Sequence, residues 1–109
     1  MASNKTVTGM NPTRQWAIEE LRRMVLAALG NHDAAVWLFG SCARGKVWQH
    51  SDIDIAILPR DELPSGFFGA LRADIEDSTI PYDVDVVDLR HAAPALIEAV
   101  HREGIPWRN

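Results

Sequence analysis

With 109 residues, 47% of them hydrophobic and 24% charged, the chain has room for one domain of ordinary globular composition, which sets aside disordered, collagen-like and coiled-coil classes. Eleven Lys and Arg stand against fifteen Asp and Glu, a formal net charge of −4, which argues against a protein whose main task is gripping a nucleic-acid backbone. A single cysteine, Cys42, rules out an internal disulfide, and there is no run of about 18 apolar residues to span a bilayer, so a cytoplasmic protein without a membrane segment is expected.

Residues 1–11 are small and polar, show no periodicity and contain no apolar stretch long enough for a signal peptide. They read as a flexible tail ahead of a domain over 12–109. Asn11-Pro12-Thr13 can cap and open a helix, and Ile18, Leu21, Val25 and Leu29 recur at spacings of three and four, predicting an amphipathic helix from about 13 to 29 that Gly30-Asn31 terminates. Ala34 to Phe39 is a short run rich in strand formers between Asp33 and Gly40, predicting a buried strand. Gly40 to Gly45 brackets four small or polar residues and reads as a tight turn leading into a helical turn.

The stretch Asp52 to Leu58 alternates strictly, with Ile53, Ile55 and Ile57 on one face, Asp52, Asp54, Ala56 and Leu58 on the other, and Pro59 closing the strand. Phe67, Phe68, Leu71 and Ile75 repeat at helical spacing up to Asp77-Ser78. Tyr82 to Leu89 predicts a third strand, in which Val84 and Val86 alternate with Asp83, Asp85 and Val87, and Asp88 takes the parity expected to face solvent. Pro94 opens a last helix, and Gly104 stops it before an edge segment at Ile105-Pro106-Trp107. Helices and strands thus alternate in the manner of an α/β domain.

Alternation places Asp52 and Asp54 on one strand face, about 7 Å apart along the chain. An Asp-x-Asp pair at a strand start is by itself commonly a solvated feature. Paired carboxylates near a core also suit a hard cation such as Mg²⁺, and Asp85 on a neighbouring strand would bring a third oxygen donor to a phosphoryl-transfer centre. Gly40-Ser41 follows a buried strand, where the glycine lets backbone approach a phosphate and the hydroxyl can donate to it. Arg44 offers a planar fork for phosphate oxygens.

Taken together these residues read Gly40-Ser41, ten residues, then Asp52-x-Asp54. That pattern resembles the DNA polymerase β-like nucleotidyltransferases, and within them the minimal nucleotidyltransferase, or MNT, domains. Gly40 to Gly45 looks like the small-class Gly-Ser-x-Ala-Arg-Gly form, Ser51-Asp52-Ile53-Asp54 like its Ser-Asp-x-Asp partner, and Val84-Asp85-Val86-Val87 like the third-acid strand. The ending Arg102-Glu103-Gly104-Ile105-Pro106 is also in keeping, so the resemblance covers residues 14 to 108. It implies a mixed α/β (α+β) fold, a small sheet with helices packed on it.

The resemblance also implies roles. Asp52 and Asp54 would hold two Mg²⁺ ions, and Asp85 would bind one of them and help deprotonate the acceptor hydroxyl. Gly40 and Ser41 would cradle the terminal phosphates of ATP, with Arg44 a further phosphate contact. Asp83 shares a strand face with Asp85 and competes with it, although Asp85 has the matching context. His50 and Lys46 are expected as loop residues, His32, His91 and His101 as surface or cap residues, and Cys42 as a small residue rather than a nucleophile. Trp37 belongs in the core, whereas Trp48 and Trp107 stand where a partner surface or adenine stacking is open to them.

Larger members of the superfamily carry a helical acceptor-binding domain, and none is expected in a chain of this length. Minimal members are typically encoded beside a small helical HEPN protein, in several cases as toxin and antitoxin. The resemblance therefore implies transfer of AMP from ATP to a tyrosine of a HEPN partner, with neutralisation of that partner as the outcome. A non-catalytic antitoxin that acts by occupying the partner, and transfer to a small molecule, are the competing readings.

Overall fold

The apolar stripe of the first helix packs against one side of the sheet. In the computed structural model, which describes residues 12–40 and 53–109, helix α1 runs Pro12–Leu29, and Ala17, Leu21, Val25 and Leu29 are fully buried along it. Gly30 stops the helix in the left-handed region, its N–H bonded to the Leu26 carbonyl at 3.0 Å. Strand β1, Ala34–Phe39, and strand β2, Ile53–Pro59, pair antiparallel from Ala34 opposite Pro59 to Phe39 opposite Asp54. Pro59 is the last residue of the ladder, the position where its missing N–H is best tolerated.

Helix α2, Phe67–Glu76, is the crossover to strand β3, Val84–Asp88, which lies parallel to β2. Helix α3, Pro94–Glu103, is followed by strand β4, Ile105–Arg108, paired antiparallel to β1. The sheet order is β3-β2-β1-β4, so the sheet is mixed and the predicted edge segment is its outer strand.

Both faces of the sheet are covered. Ile53, Ile55 and Ile57, with Val36, Leu38 and Val86, pack under α1 and α2, and each fully buried isoleucine stabilises the fold by about 1.5–3 kcal/mol. The opposite face carries a smaller core of Ala35, Trp37, Ala56 and Leu89 against Val100 of α3. Trp37 is thus in the core as expected, and its ring also meets His101 with centroids 4.9 Å apart. Trp107 is half-buried against the larger core rather than displayed as a stacking surface. The expected tail at 1–11 lies outside the described residues.

The third strand is shorter than its pattern predicts, and each end has a physical cause. At its start, Ile53 N–H donates to the Asp83 carbonyl at 3.0 Å, which sets the first rung, and Tyr82 lies before the strand. At its end, Asp88 does not face solvent freely. Its carboxylate accepts from Arg90 N–H at 3.0 Å, capping a 3-10 turn over Leu89–His91, and pairs with the Arg90 guanidinium at 2.8 Å. That hydrogen-bonded guanidinium holds the Asp88 carboxyl below its ordinary value.

Removing the cap by Asp88→Ala should cost about 1 kcal/mol, measurable by denaturant unfolding. Because the carboxyl is lowered in the folded state, its contribution is present above the unfolded-chain value of about 4 and fades as pH falls through the folded value. The stability gap between the native chain and Asp88→Asn should therefore narrow below about pH 4. A gap that stays constant across that range contradicts the assignment.

Candidate functional site

Three strands bring their ends to one corner of the sheet. The antiparallel β1/β2 register puts Phe39, the last residue of β1, opposite Asp54, and the parallel β2/β3 register puts Asp54 opposite Asp85. Neighbouring strands lie about 4.8 Å apart, so the two carboxylate-bearing residues are lateral neighbours on the same sheet face. Asp54 is partly buried and Asp85 is exposed. Asp83 shares that parity but precedes the strand, and what it contributes to the ladder is its backbone carbonyl.

Gly40 completes the corner. Its φ is +82°, in the region that favours glycine, and the place a Cβ would occupy there is taken by the Asp54 carboxylate. Oδ2 stands closer to that position than real Cβ contacts allow, with Cγ at 3.3 Å and Cβ at 3.5 Å. The absence of a side chain at Gly40 therefore does two things: it permits the turn out of β1, and it makes room for an acid on the next strand.

Of the residues predicted for the site, the structure brings together Gly40, Asp54 and Asp85. Ser41, Arg44 and Asp52, together with Cys42, Lys46, Trp48 and His50, lie outside the described residues. Among the described residues no cluster of three His, Cys, Asp or Glu side chains is gathered as a metal site. Asp54 and Asp85 are two carboxylate-bearing residues at paired positions of adjacent strands, and carboxylate oxygen is the donor type that hard divalent cations take.

A cleft of about 700 Å³ opens beside Asp85 at the outer side of β3, lined by Arg72, Glu76, Ile80, Tyr82, Asp83 and Asp85 among others. One wall is braced from below. Arg14 of α1 is 1% exposed, the only charged side chain in the buried set of the described residues, and its guanidinium carbon lies 4.3 Å from the centre of the Tyr82 ring. Arg72 donates to the Val86 carbonyl at 2.7 Å and lies 5.6 Å over the Phe68 ring, which holds it along the outer edge of β3.

The sequence reading passed over Arg14, Arg72 and Tyr82. For Arg14 a signal was present, since position 14 falls three before Ala17 and seven before Leu21 on the buried stripe of α1, where a charged residue is out of place. No buried side-chain polar atom among the described residues lacks a hydrogen-bond partner, so this arginine is accommodated rather than stranded.

Residues 29–106 match the family described as Polymerase beta, Nucleotidyltransferase. A protein adenylyltransferase MntA from Shewanella oneidensis is 39% identical over 69 residues, which are 63% of this chain and 49% of that protein. The chain thus spans about half the length of the curated relatives it matches. Among solved structures, a toxin–antitoxin complex with AMP-PNP aligns at TM-score 0.63 and 31% identity, covering 79% of this chain and 71% of that one. A tri-AMPylated Shewanella oneidensis HEPN toxin in complex with MNT antitoxin aligns at TM-score 0.62 and 28% identity, covering 86% and 71% respectively. No helix among the described residues is long and apolar enough to cross a membrane.

Proposed function

The chain belongs to the polymerase β nucleotidyltransferase family, and from that premise we propose that it transfers AMP from ATP to a tyrosine hydroxyl of a HEPN partner and so acts as its antitoxin. The observation that carries this reading is the alignment of Gly40, Asp54 and Asp85 across three adjacent strands. Protein adenylyltransferase is the name of the matched Shewanella relative, and an AMPylated HEPN toxin is present in a matched complex.

In this reading Asp52, Asp54 and Asp85 would hold Mg²⁺, and Gly40 and Ser41 would cradle the terminal phosphates with help from Arg44. When bound, Mg²⁺ would offset negative charge on the phosphoryl oxygens. Asp85 takes the proton of the acceptor hydroxyl as its oxygen bonds to the α-phosphorus. The bond from that phosphorus to the bridging oxygen breaks, and pyrophosphate leaves. Gly40 keeps the Asp54 carboxylate seated at the strand end, and little further covalent chemistry is required of the protein.

ATP labelled at the α-phosphate, incubated with Mg²⁺, this protein and the HEPN protein encoded beside it, should label the HEPN protein. Replacing the acceptor tyrosine by phenylalanine should abolish the label, and Asp54→Asn should reduce it by about a thousandfold or more. If Asp52→Asn with Asp54→Asn still neutralises the partner at native dose, neutralisation proceeds by binding and the catalytic reading fails.

A further inference from the structure

The buried Arg14 takes no part in the chemistry above, and its contact with Tyr82 falls where the pairing of the acids is decided. Strand β3 is the outer strand of the sheet, and the chain reaches it from α2 through residues 77–83. That connection is tied at its start, where the Ser78 hydroxyl donates to the Ile75 carbonyl and accepts from Ile80 N–H at 3.2 Å. At its end the Tyr82 ring lies 4.3 Å from the Arg14 guanidinium carbon, and the next residue, Asp83, offers its carbonyl to Ile53 N–H. The pairing of Asp54 with Asp85 follows directly along the ladder.

Parity leaves two pairings open. Asp83 and Asp85 belong to the same face, so a slip of two residues keeps every β3 side chain on its own face and puts Asp83 beside Asp54. Two other ties of the strand do not tell these pairings apart. Arg72 grips a backbone carbonyl, that of Val86, and the Val84 carbonyl has the same parity. Asp88 and Arg90 pair within the segment itself and travel with it. The Tyr82 ring is different. A two-residue slip carries it about 7 Å along the strand, beyond the roughly 6 Å over which a cation and a ring attract, and brings Ile80, which has no ring, to its place. The guanidinium cannot follow, because Arg14 is enclosed at 1% exposure.

We propose that Arg14 is a positioning residue for the transfer reaction: by holding the Tyr82 ring it pins the start of β3 in the register that sets Asp85, rather than Asp83, beside Asp54. The inference rests on the adenylyl-transfer reading above, in which Asp85 takes the acceptor proton. Tyr82 packs with the core under α1 and α2, on the sheet face opposite the acids. Arg14 therefore acts through the Tyr82 ring and the Asp83 backbone, and touches neither substrate.

The test joins the kinetics of AMP transfer to amide hydrogen exchange. Arg14→Met keeps an apolar stem and removes the charge. Turnover should fall about tenfold or more at saturating ATP and HEPN protein, with both KM values within about twofold of native. Exchange at the Ile53 amide should quicken about tenfold or more, while amides of the β1/β2 ladder keep their native rates. Tyr82→Leu should reproduce both effects, and Arg14→Lys, which returns a cation to the ring, should bring turnover to within about threefold of native. Turnover and Ile53 exchange both within about twofold of native in Arg14→Met overturn the proposal. So does a uniform rise in exchange across the β1/β2 ladder, the mark of general destabilisation, and so does a raised KM at unchanged turnover, which places Arg14 at a substrate. If Arg14→Met does not fold, Tyr82→Leu decides by the same criteria. If the native chain transfers no AMP, the transfer reading fails by itself, and Ile53 exchange then judges the positioning: a selective rise of about tenfold supports it and a native rate refutes it.

Discussion

Gly40→Ala is expected to lower AMP transfer by about a hundredfold while costing the fold only about 1–2 kcal/mol. The two effects have separate origins. The stability cost comes from placing a side chain at φ +82°, where L residues are disfavoured. The catalytic cost comes from the new methyl group, which claims the space held by the Asp54 carboxylate and must push it off the strand end. A displacement of about 1 Å at a reacting centre is enough for a loss of that size.

A double-mutant cycle separates the two. In an Asp54→Ala background the carboxylate is gone, so Gly40→Ala should retain only the backbone strain, and the difference in unfolding free energy between the two backgrounds measures the collision. Equal costs in both backgrounds, together with transfer within twofold of native for Gly40→Ala, would falsify the coupling of Gly40 to Asp54.

Asp85→Asn should lower turnover by about a thousandfold or more, the range of a lost base and charge-bearing ligand, whereas Asp83→Asn should keep most of it at saturating acceptor. The amide preserves shape and volume, so circular dichroism and melting should be close to native in both variants. Register carries the distinction: Asp85 is paired with Asp54 across the parallel ladder, while Asp83 meets β2 through its carbonyl, which Asn retains. A collapse of turnover in Asp83→Asn with Asp85→Asn active would reverse the assignment and move the reacting centre one rung outward.

Much of this was legible along the chain. Strict alternation from Ile53 to Leu58 predicted the central strand and the face carrying Asp54, because side-chain direction in a strand depends only on parity. Helix α1 and strand β1 follow from apolar spacing and from Gly30 and Gly40 as punctuation, and the helix from Pro94 to Glu103 from its opening proline and closing glycine. The spacing from Gly40-Ser41 to Asp52-x-Asp54 carries the family resemblance in the sequence itself.

Parity, however, does not supply register. Asp83 and Asp85 have the same parity, and only the pairing of β3 with β2 decides that Asp85 lies beside Asp54, since register is set by contacts between residues distant in sequence. The same holds for Asp88, whose parity pointed to solvent until the following turn brought the Arg90 N–H and guanidinium onto it. Arg14 was one charge in a polar-looking first turn until α1 packed over Tyr82 and buried it. The sequence by itself determined the order of elements, the strand faces and the acids available to the corner. Only the tertiary structure decided which acids meet, why Gly40 must lack a side chain and where the cleft opens, because each of those is a distance between segments that the chain order leaves free.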